Sequence, residues 1–378
     1  MNEAICKQPL VLFLGAGASQ PLGLKTTPEF WEWLHFNSGF DFNLLSAIAD
    51  CIHPSEELGG KPDIEAILDI LEKINEGRQL EEKISKSSSF KYSKRPPVVE
   101  TKPEVSEAKL AQIFKGPPIW LEISERIKDL VVSHYSQVDE EEPFEIHNIL
   151  LGLANERLLP VFTTNYDLAI EKAYELVGGN RFNLVDGFSR GKKVIPQWSR
   201  SAYEDYEPTE RDVIFFKLHG SVDWVRTPTG RIQRVESRQR DPGGMKTEIV
   251  YPSRLKREIH EEPYRTNYDY LLACLLYAKV CAVIGFSFRD QEIVDEFRQA
   301  MEINPFLELM IIDPNAAAIN SHLETKLGFK PMVELIPEKL AIESAESLAS
   351  KIRRHVDMRM EPPGKYDLID EDWRGPLR

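Results

Sequence analysis

Five short apolar runs, each ending in glycine, polar or acidic residues, constrain this chain more than any other feature. They are Leu10 to Leu14 before Gly15-Ala16-Gly17-Ala18-Ser19, Leu158 to Phe162 before Thr163-Thr164-Asn165, Val213 to Leu218 before His219-Gly220, Val280 to Phe286, and Leu309 to Ile312 before Asp313. A continuous apolar run bounded by turn residues suits a strand buried on both faces, as in a parallel sheet. Helical patterns follow most of these runs, over Asp167 to Val177, Gln291 to Ile303 and Ala316 to Leu327. Strands alternating with helices predict an α/β fold, a Rossmann-like parallel sheet flanked by helices with right-handed crossovers.

Between the first two runs the periodicity is helical. Asp63 to Gly77 places Ile64, Ile67, Leu68, Leu71 and Ile74 on one face, and further apolar spacing covers Ile119 to Val131 and Ile146 to Leu153. Residues 85–103, with three consecutive serines, Pro96-Pro97 and several lysines, read as an exposed linker. The expected organisation is a single domain over 1–378 with a helical insertion subdomain at 30–158. A stretch at 186–265, rich in charge, Gly and Pro, reads as a long loop or lid, and 357–378 as a C-terminal tail.

Composition narrows the class. The 378 residues hold 47 basic and 61 acidic side chains, a formal net charge of −14, which gives no general attraction to nucleic acid. No direct, sequence-specific nucleic-acid binding is expected. No apolar run is long enough to span a membrane, and Met1-Asn2-Glu3-Ala4 does not open like a signal peptide, so a cytoplasmic protein is expected. Cys6, Cys51, Cys274 and Cys281 are too scattered for a disulfide scaffold and include no Cys-x-x-Cys pair.

The chemistry, if any, lies at the strand ends, because ligands of open α/β sheets bind outside the carboxyl ends of the strands. Gly15-Ala16-Gly17 supports two readings, a tight turn or a backbone cradle for phosphate. The dinucleotide fingerprint would need a third glycine where Gln20 stands, and no Lys-Ser/Thr follows to make an ATP-type loop. Asn165 in Thr163-Thr164-Asn165-Tyr166-Asp167 is either an Asx turn or a ligand group, and Asp167 reads first as the cap of the next helix. His219 is either a satisfied core histidine or a base working near neutral pH. Gly285 with Ser287 could meet a phosphate, and Asp313 a ribose hydroxyl pair. No Gly-x-Ser-x-Gly elbow occurs, and the remaining histidines show no metal-ligand spacing.

Taken together, Gly15-Ala16-Gly17-Ala18-Ser19 with Gly23-Leu24 and Thr26-Thr27, Thr164-Asn165-Tyr166-Asp167, Lys217-Leu218-His219-Gly220 and Gly285-Phe286-Ser287 resemble the sirtuin-type NAD-binding fold. The resemblance spans roughly residues 10 to 315 and points to a divergent bacterial branch associated with antiphage defence. Protein-deacylating sirtuins carry a four-cysteine zinc module that this sequence does not repeat, so the resemblance implies NAD as substrate and no zinc. It implies an NAD glycohydrolase that depletes the cofactor in abortive infection. The alternatives are an NAD-dependent deacylase, a non-catalytic sensor of NAD or ADP-ribose, and an interaction subunit. By resemblance, Asn165 and His219 are the catalytic pair, the first on the ribose or the attacking water and the second as base. Gly15, Ala16, Gly17 and Ser19 hold the pyrophosphate with Gly285 and Ser287 nearby. Thr164 joins the cofactor-binding set, Asp167 supports the nicotinamide side, and Asp313 the adenosine ribose. The resemblance further implies a homo-oligomer and a partner, a HerA-like ATPase in preference to an Argonaute-like protein.

Overall fold

The computed structural model describes residues 1–37, 68, 119–138, 141–177, 182–189, 195–235, 246–249 and 260–360. Seven strands, all parallel to their neighbours, form the main sheet: β1 (Leu10–Leu14), β2 (Leu159–Thr163), β3 (Asn183–Val185), β4 (Asp212–Lys217), β8 (Val280–Ile284), β9 (Glu308–Ile312) and β10 (Met332–Ile336). Their order is β10-β9-β8-β1-β2-β4-β3. A second, antiparallel sheet of order β6-β5-β7 comprises β5 (Gly220–Arg226), β6 (Ile232–Arg234) and β7 (Lys246–Ile249).

Alternation along each buried strand divides the core in two, because successive side chains point to opposite faces. Val11, Phe13, Phe162, Ile214, Phe216, Val283 and Ile311 belong to one cluster. It packs against helices α1 (Glu3–Cys6), α7 (Tyr264–Tyr277), α8 (Gln291–Ile303) and α9 (Ala316–Leu327). Leu10, Leu12, Val161, Val213, Phe215, Ala282 and Met310 belong to the other, with α4 (Glu141–Leu151), α5 (Ala169–Val177) and α10 (Ile342–Met360). Helices on both faces of a parallel sheet are the architecture that the uninterrupted apolar runs require. Among the described residues the helices are completed by α2 (Thr27–Asn37), α3 (Ile119–Tyr135) and the single turn α6 (Ser201–Glu204).

Two sequence expectations need revision or relocation. The 186–265 stretch is not one long loop: it holds α6, β4 and all three strands of the second sheet. Its charges do not mark a solvated lid, because several pair inside the fold: Arg234 meets Asp186 at 2.9 Å and Asp223 at 2.9 Å, and all three acid or base groups are largely buried. The expected linker at 85–103 lies outside the described residues, as does the Asp63–Gly77 helix apart from Leu68. The expected tail begins inside α10, and residues beyond Met360 lie outside the described set.

The topology sets where a ligand can enter. From β1 the chain moves to β2 on one side, then returns through β8 to the other side of β1. Strand order therefore reverses between β1 and β8, and a crevice opens at their carboxyl ends.

Candidate nucleotide crevice and histidine–aspartate pair

Gly15 and Gly17 follow β1, Gly285 follows β8, and their backbones touch. A Cβ on Gly15 would lie 2.5 Å from the Gly285 carbonyl oxygen, and one on Gly17 would lie 2.7 Å from the Gly285 Cα. A Cβ on Gly285, which holds φ at +64°, would meet the Gly17 Cα and the Ala18 nitrogen at 2.5 Å. The three glycines thus answer to one another. The Gly15 N–H donates to the Ile284 carbonyl at 2.9 Å and the Gly17 N–H to the Gly285 carbonyl at 2.9 Å. What these glycines contribute is the close packing of the two loops, since their absent side chains would strike the facing backbone and their own N–H groups are engaged across the strand ends.

A cavity of about 570 Å³ opens beside this contact. Ala16, Gly17, Gln20 and Thr26 line it from the β1 side, Gly285, Ser287 and Arg289 from the β8 side, and Asp313, Asn315 and His322 from β9 and α9. The Asp313 carboxylate accepts from the Asn315 N–H at 2.8 Å. Glu29 accepts from the Thr26 backbone and hydroxyl at 2.8 Å each and from Gln20 at 3.4 Å, which fixes that wall.

The remaining sequence candidates, Ser19, Thr164, Asn165, Asp167 and His219, do not line this cavity. Asn165, half-buried after β2, donates from Nδ2 to the Gly15 carbonyl and the Ser19 hydroxyl, both at 2.9 Å. Ser19 is therefore turned inward to Asn165, while Thr164 ties its N–H to the Leu14 carbonyl at 3.2 Å. Asp167 is buried and its Oδ1 accepts from the Ala169 N–H at 2.9 Å, the capping bond that starts α5.

His219 sits where β4 gives way to β5. Gly220 makes that turn at φ +82°, with the Glu248 carbonyl 2.2 Å from where a Cβ would be, so the second sheet starts directly after the histidine. The imidazole is buried, and its Nε2 lies 2.8 Å from Asp290 Oδ2 and 3.5 Å from the Tyr268 hydroxyl. Tyr166 places its ring 6.3 Å away, centroid to centroid. Burial pushes the Tyr268 hydroxyl well above its ordinary pKa, and Asp290, Glu292 and Glu296 add to the shift, so it remains a neutral donor.

Sequence reasoning missed Asp290 and Tyr268, as well as Arg289 and His322 on the cavity wall. The available signal for Asp290 was its place two residues past Ser287-Phe288, as the N-cap position of α8. Phe288 explains how one short loop serves two sites. It holds φ at +55°, a conformation uncommon for a bulky residue, with its ring packed 5.1 Å from Phe286 and 5.3 Å from Phe297. After that bend Arg289 reaches the cavity while Asp290 is buried against His219.

A charged group underlies this region. Lys217, two residues before His219, donates to Glu171 at 3.0 Å, to Ser221 at 2.8 Å and to the Asp167 carbonyl. Burial pushes the Glu171 carboxyl up, against the pull of Lys217. Burial alone would lower the Arg234 guanidinium, but Asp186, Asp223 and Glu171 outweigh it and hold the group well above its usual range. Among the described residues, no group of three His, Cys, Asp or Glu side chains could hold a metal ion, and no helix is long and apolar enough to cross a membrane.

The model of the SIR2-like domain matches residues 160–331, a span that holds Asn165, His219, Ser287, Asp290 and Asp313. No curated protein matches the chain. Among solved structures it is similar to a Sir2 homologue–NAD complex, with 14% identity, coverage of 94% of this chain and 93% of that chain, and a TM-score of 0.44. A mutant Sir2 homologue with 2'-O-acetyl ADP ribose shows 13% identity, 95% and 98% coverage and a TM-score of 0.42. Another mutant, with ADP ribose, shows 13% identity, 95% and 97% coverage and a TM-score of 0.44.

Proposed function

We propose that this protein is an NAD glycohydrolase, cleaving the nicotinamide–ribose bond to give nicotinamide and ADP-ribose. The observation that carries the reading is the crevice at the β1/β8 switch point, bordered by Gly17, Gly285 and Ser287, with Asn165 bonded to the glycine loop and Asp290, next in sequence to the lining residue Arg289, paired with His219. A Cβ at Gly17 or Gly285 would run into the backbone of the facing loop, so the glycines let the two loops close together, and the wall they form with Ala16 and Ser287 suits a pyrophosphate. When bound, NAD supplies a glycosidic bond to a cationic ring that departs as a neutral molecule, so no general acid is needed.

The chain's own residues divide the remaining work. Gly15, Ala16 and Gly17 with Gly285 and Ser287 border the pyrophosphate, and Asp313 accepts from the adenosine ribose hydroxyls. Ser19 and Thr164 keep the two loops in register. Asn165 orients the ribose or the attacking water, and Asp167 holds the loop on the nicotinamide side. His219 takes a proton from a ribose hydroxyl or from that water.

In the cell we read the protein as a cytoplasmic homo-oligomer that depletes NAD in antiphage abortive infection. Its trigger is a second protein, a HerA-like ATPase in preference to an Argonaute-like one, because permanent NAD loss would kill the host. The helical insertion at 30–158 and the tail at 357–378 of this single 1–378 unit are the surfaces we assign to assembly. The test is chromatography of nicotinamide and ADP-ribose over time, with purified protein and NAD. We expect release of both, lowered about 100- to 10,000-fold by His219→Ala and likewise lost in Asn165→Ala, with both variants folded. Release that needs an acylated peptide would replace the reading with a deacylase, and saturable binding without product would replace it with a sensor.

A further inference from the structure

β4 and β8 are not neighbours: β2 and β1 lie between them, about 14 Å of sheet at ordinary strand spacing. Yet the residue after each strand's loop meets the other, His219 Nε2 to Asp290 Oδ2 at 2.8 Å, with both side chains almost fully buried. The contact draws together the loops that follow β4 and β8, although two strands separate them in the sheet. A carboxylate would not be buried there without a partner, since taking its charge out of water is costly unless it is paired. Nor is Asp290 explained as a helix cap, because its side chain makes no capping bond to α8.

We infer that Asp290 is the positioning residue for His219, accepting the Nε2–H so that the lone pair sits on Nδ1. This rests on the reading of His219 as the base in NAD cleavage. The carboxylate selects the tautomer and stabilises the imidazolium that forms when the base takes its proton, while itself remaining ionised. Among the described residues, the groups that face the imidazole include Asp290 from the loop before α8, the Tyr268 hydroxyl from α7 and the Tyr166 ring from the loop after β2. Glu292 and Glu296 on α8 add negative potential near Tyr268. Asp290 is the anion in direct contact, so its removal should dominate any change.

The test uses the full chain labelled at histidine, with the His219 resonance assigned by its absence in His219→Gln. In the wild type we expect the neutral imidazole to carry its proton on Nε2. Asp290→Asn should lower the His219 titration midpoint by about one to three pH units and disturb that tautomer. In turnover, Asp290→Asn should lower kcat about 100- to 10,000-fold with KM for NAD unchanged, and move the acid limb of the pH profile downwards with the titration. Asp290→Glu, which keeps the charge, should restore part of both. A folded Asp290→Asn protein with the wild-type midpoint and tautomer overturns the inference whatever its activity. Should that variant fail to fold, a wild-type imidazole protonated on Nδ1 overturns it alone. If His219 responds to Asp290 but the wild type cleaves no NAD, the pairing stands and the glycohydrolase reading falls.

Discussion

At Gly285 the residue type is dictated by a neighbour distant in sequence. Its φ of +64° already favours glycine, but the harder constraint is the Gly17 backbone at 2.5 Å from any Cβ. Gly285→Ala should therefore push the β1 and β8 loops apart, lowering stability by about 1–3 kcal/mol and weakening nucleotide binding more than proportionately. Urea unfolding and calorimetric titration with NAD check this, and an unchanged affinity would remove the glycine contact from the site. Gly15, Asn165 and His219 were legible as candidates because each ends a strand with a residue that strands avoid. Asp290 was not, because an acid before a helix looks like any cap, and only its partner across the sheet distinguishes it.

Among the elements, those buried on both faces were the legible ones. β1, β2, β4, β8 and β9 are fully buried along their length, and their apolar runs predicted them to within a residue or two, except at Gly285-Phe286, where β8 stops before the run does. β10 escaped because it is an edge strand with Glu334 in its middle and mostly outward-facing positions. The second sheet escaped because its charges satisfy one another inside the fold, as Arg226 and Glu248 do at 2.9 Å. Helix α8 carries Asp290, the proposed positioning residue, at its start, and Phe297 anchors it, fully buried against Phe13 and Phe288. Phe297→Ala should cost about 3–5 kcal/mol from lost burial and the cavity left behind. Thermal or urea denaturation measures it, and a loss under 1 kcal/mol would show the core closing over the gap.

Across the whole molecule, α3 of the expected insertion reaches the loop that walls the cavity. His134 Nε2 accepts from the Lys25 N–H at 3.3 Å and Tyr135 donates to the Lys25 carbonyl at 2.8 Å, amid the rings of Phe30 and Trp33. Burial, helped by Lys25, holds the His134 pKa below its usual value. Below the unfolded pKa of about 6.5 the unfolded chain then binds more protons than the folded one, so stability falls as pH drops through that range. Between pH 7 and 5.5 the wild type should lose more melting temperature than His134→Gln, which keeps an acceptor but does not titrate; equal slopes would place the acid sensitivity elsewhere. What the sequence determined by itself was local: which segments must be buried on both faces, that strands and helices alternate, and which residues stand at the strand ends. Apolar run length and turn residues are properties of neighbouring positions, and the chain states them directly. Only the tertiary structure decided the strand order that opens a crevice between β1 and β8, the three glycines that interlock there, and the meeting of His219 with Asp290. Those depend on residues separated by tens to hundreds of positions, brought together by crossovers whose geometry no local pattern records.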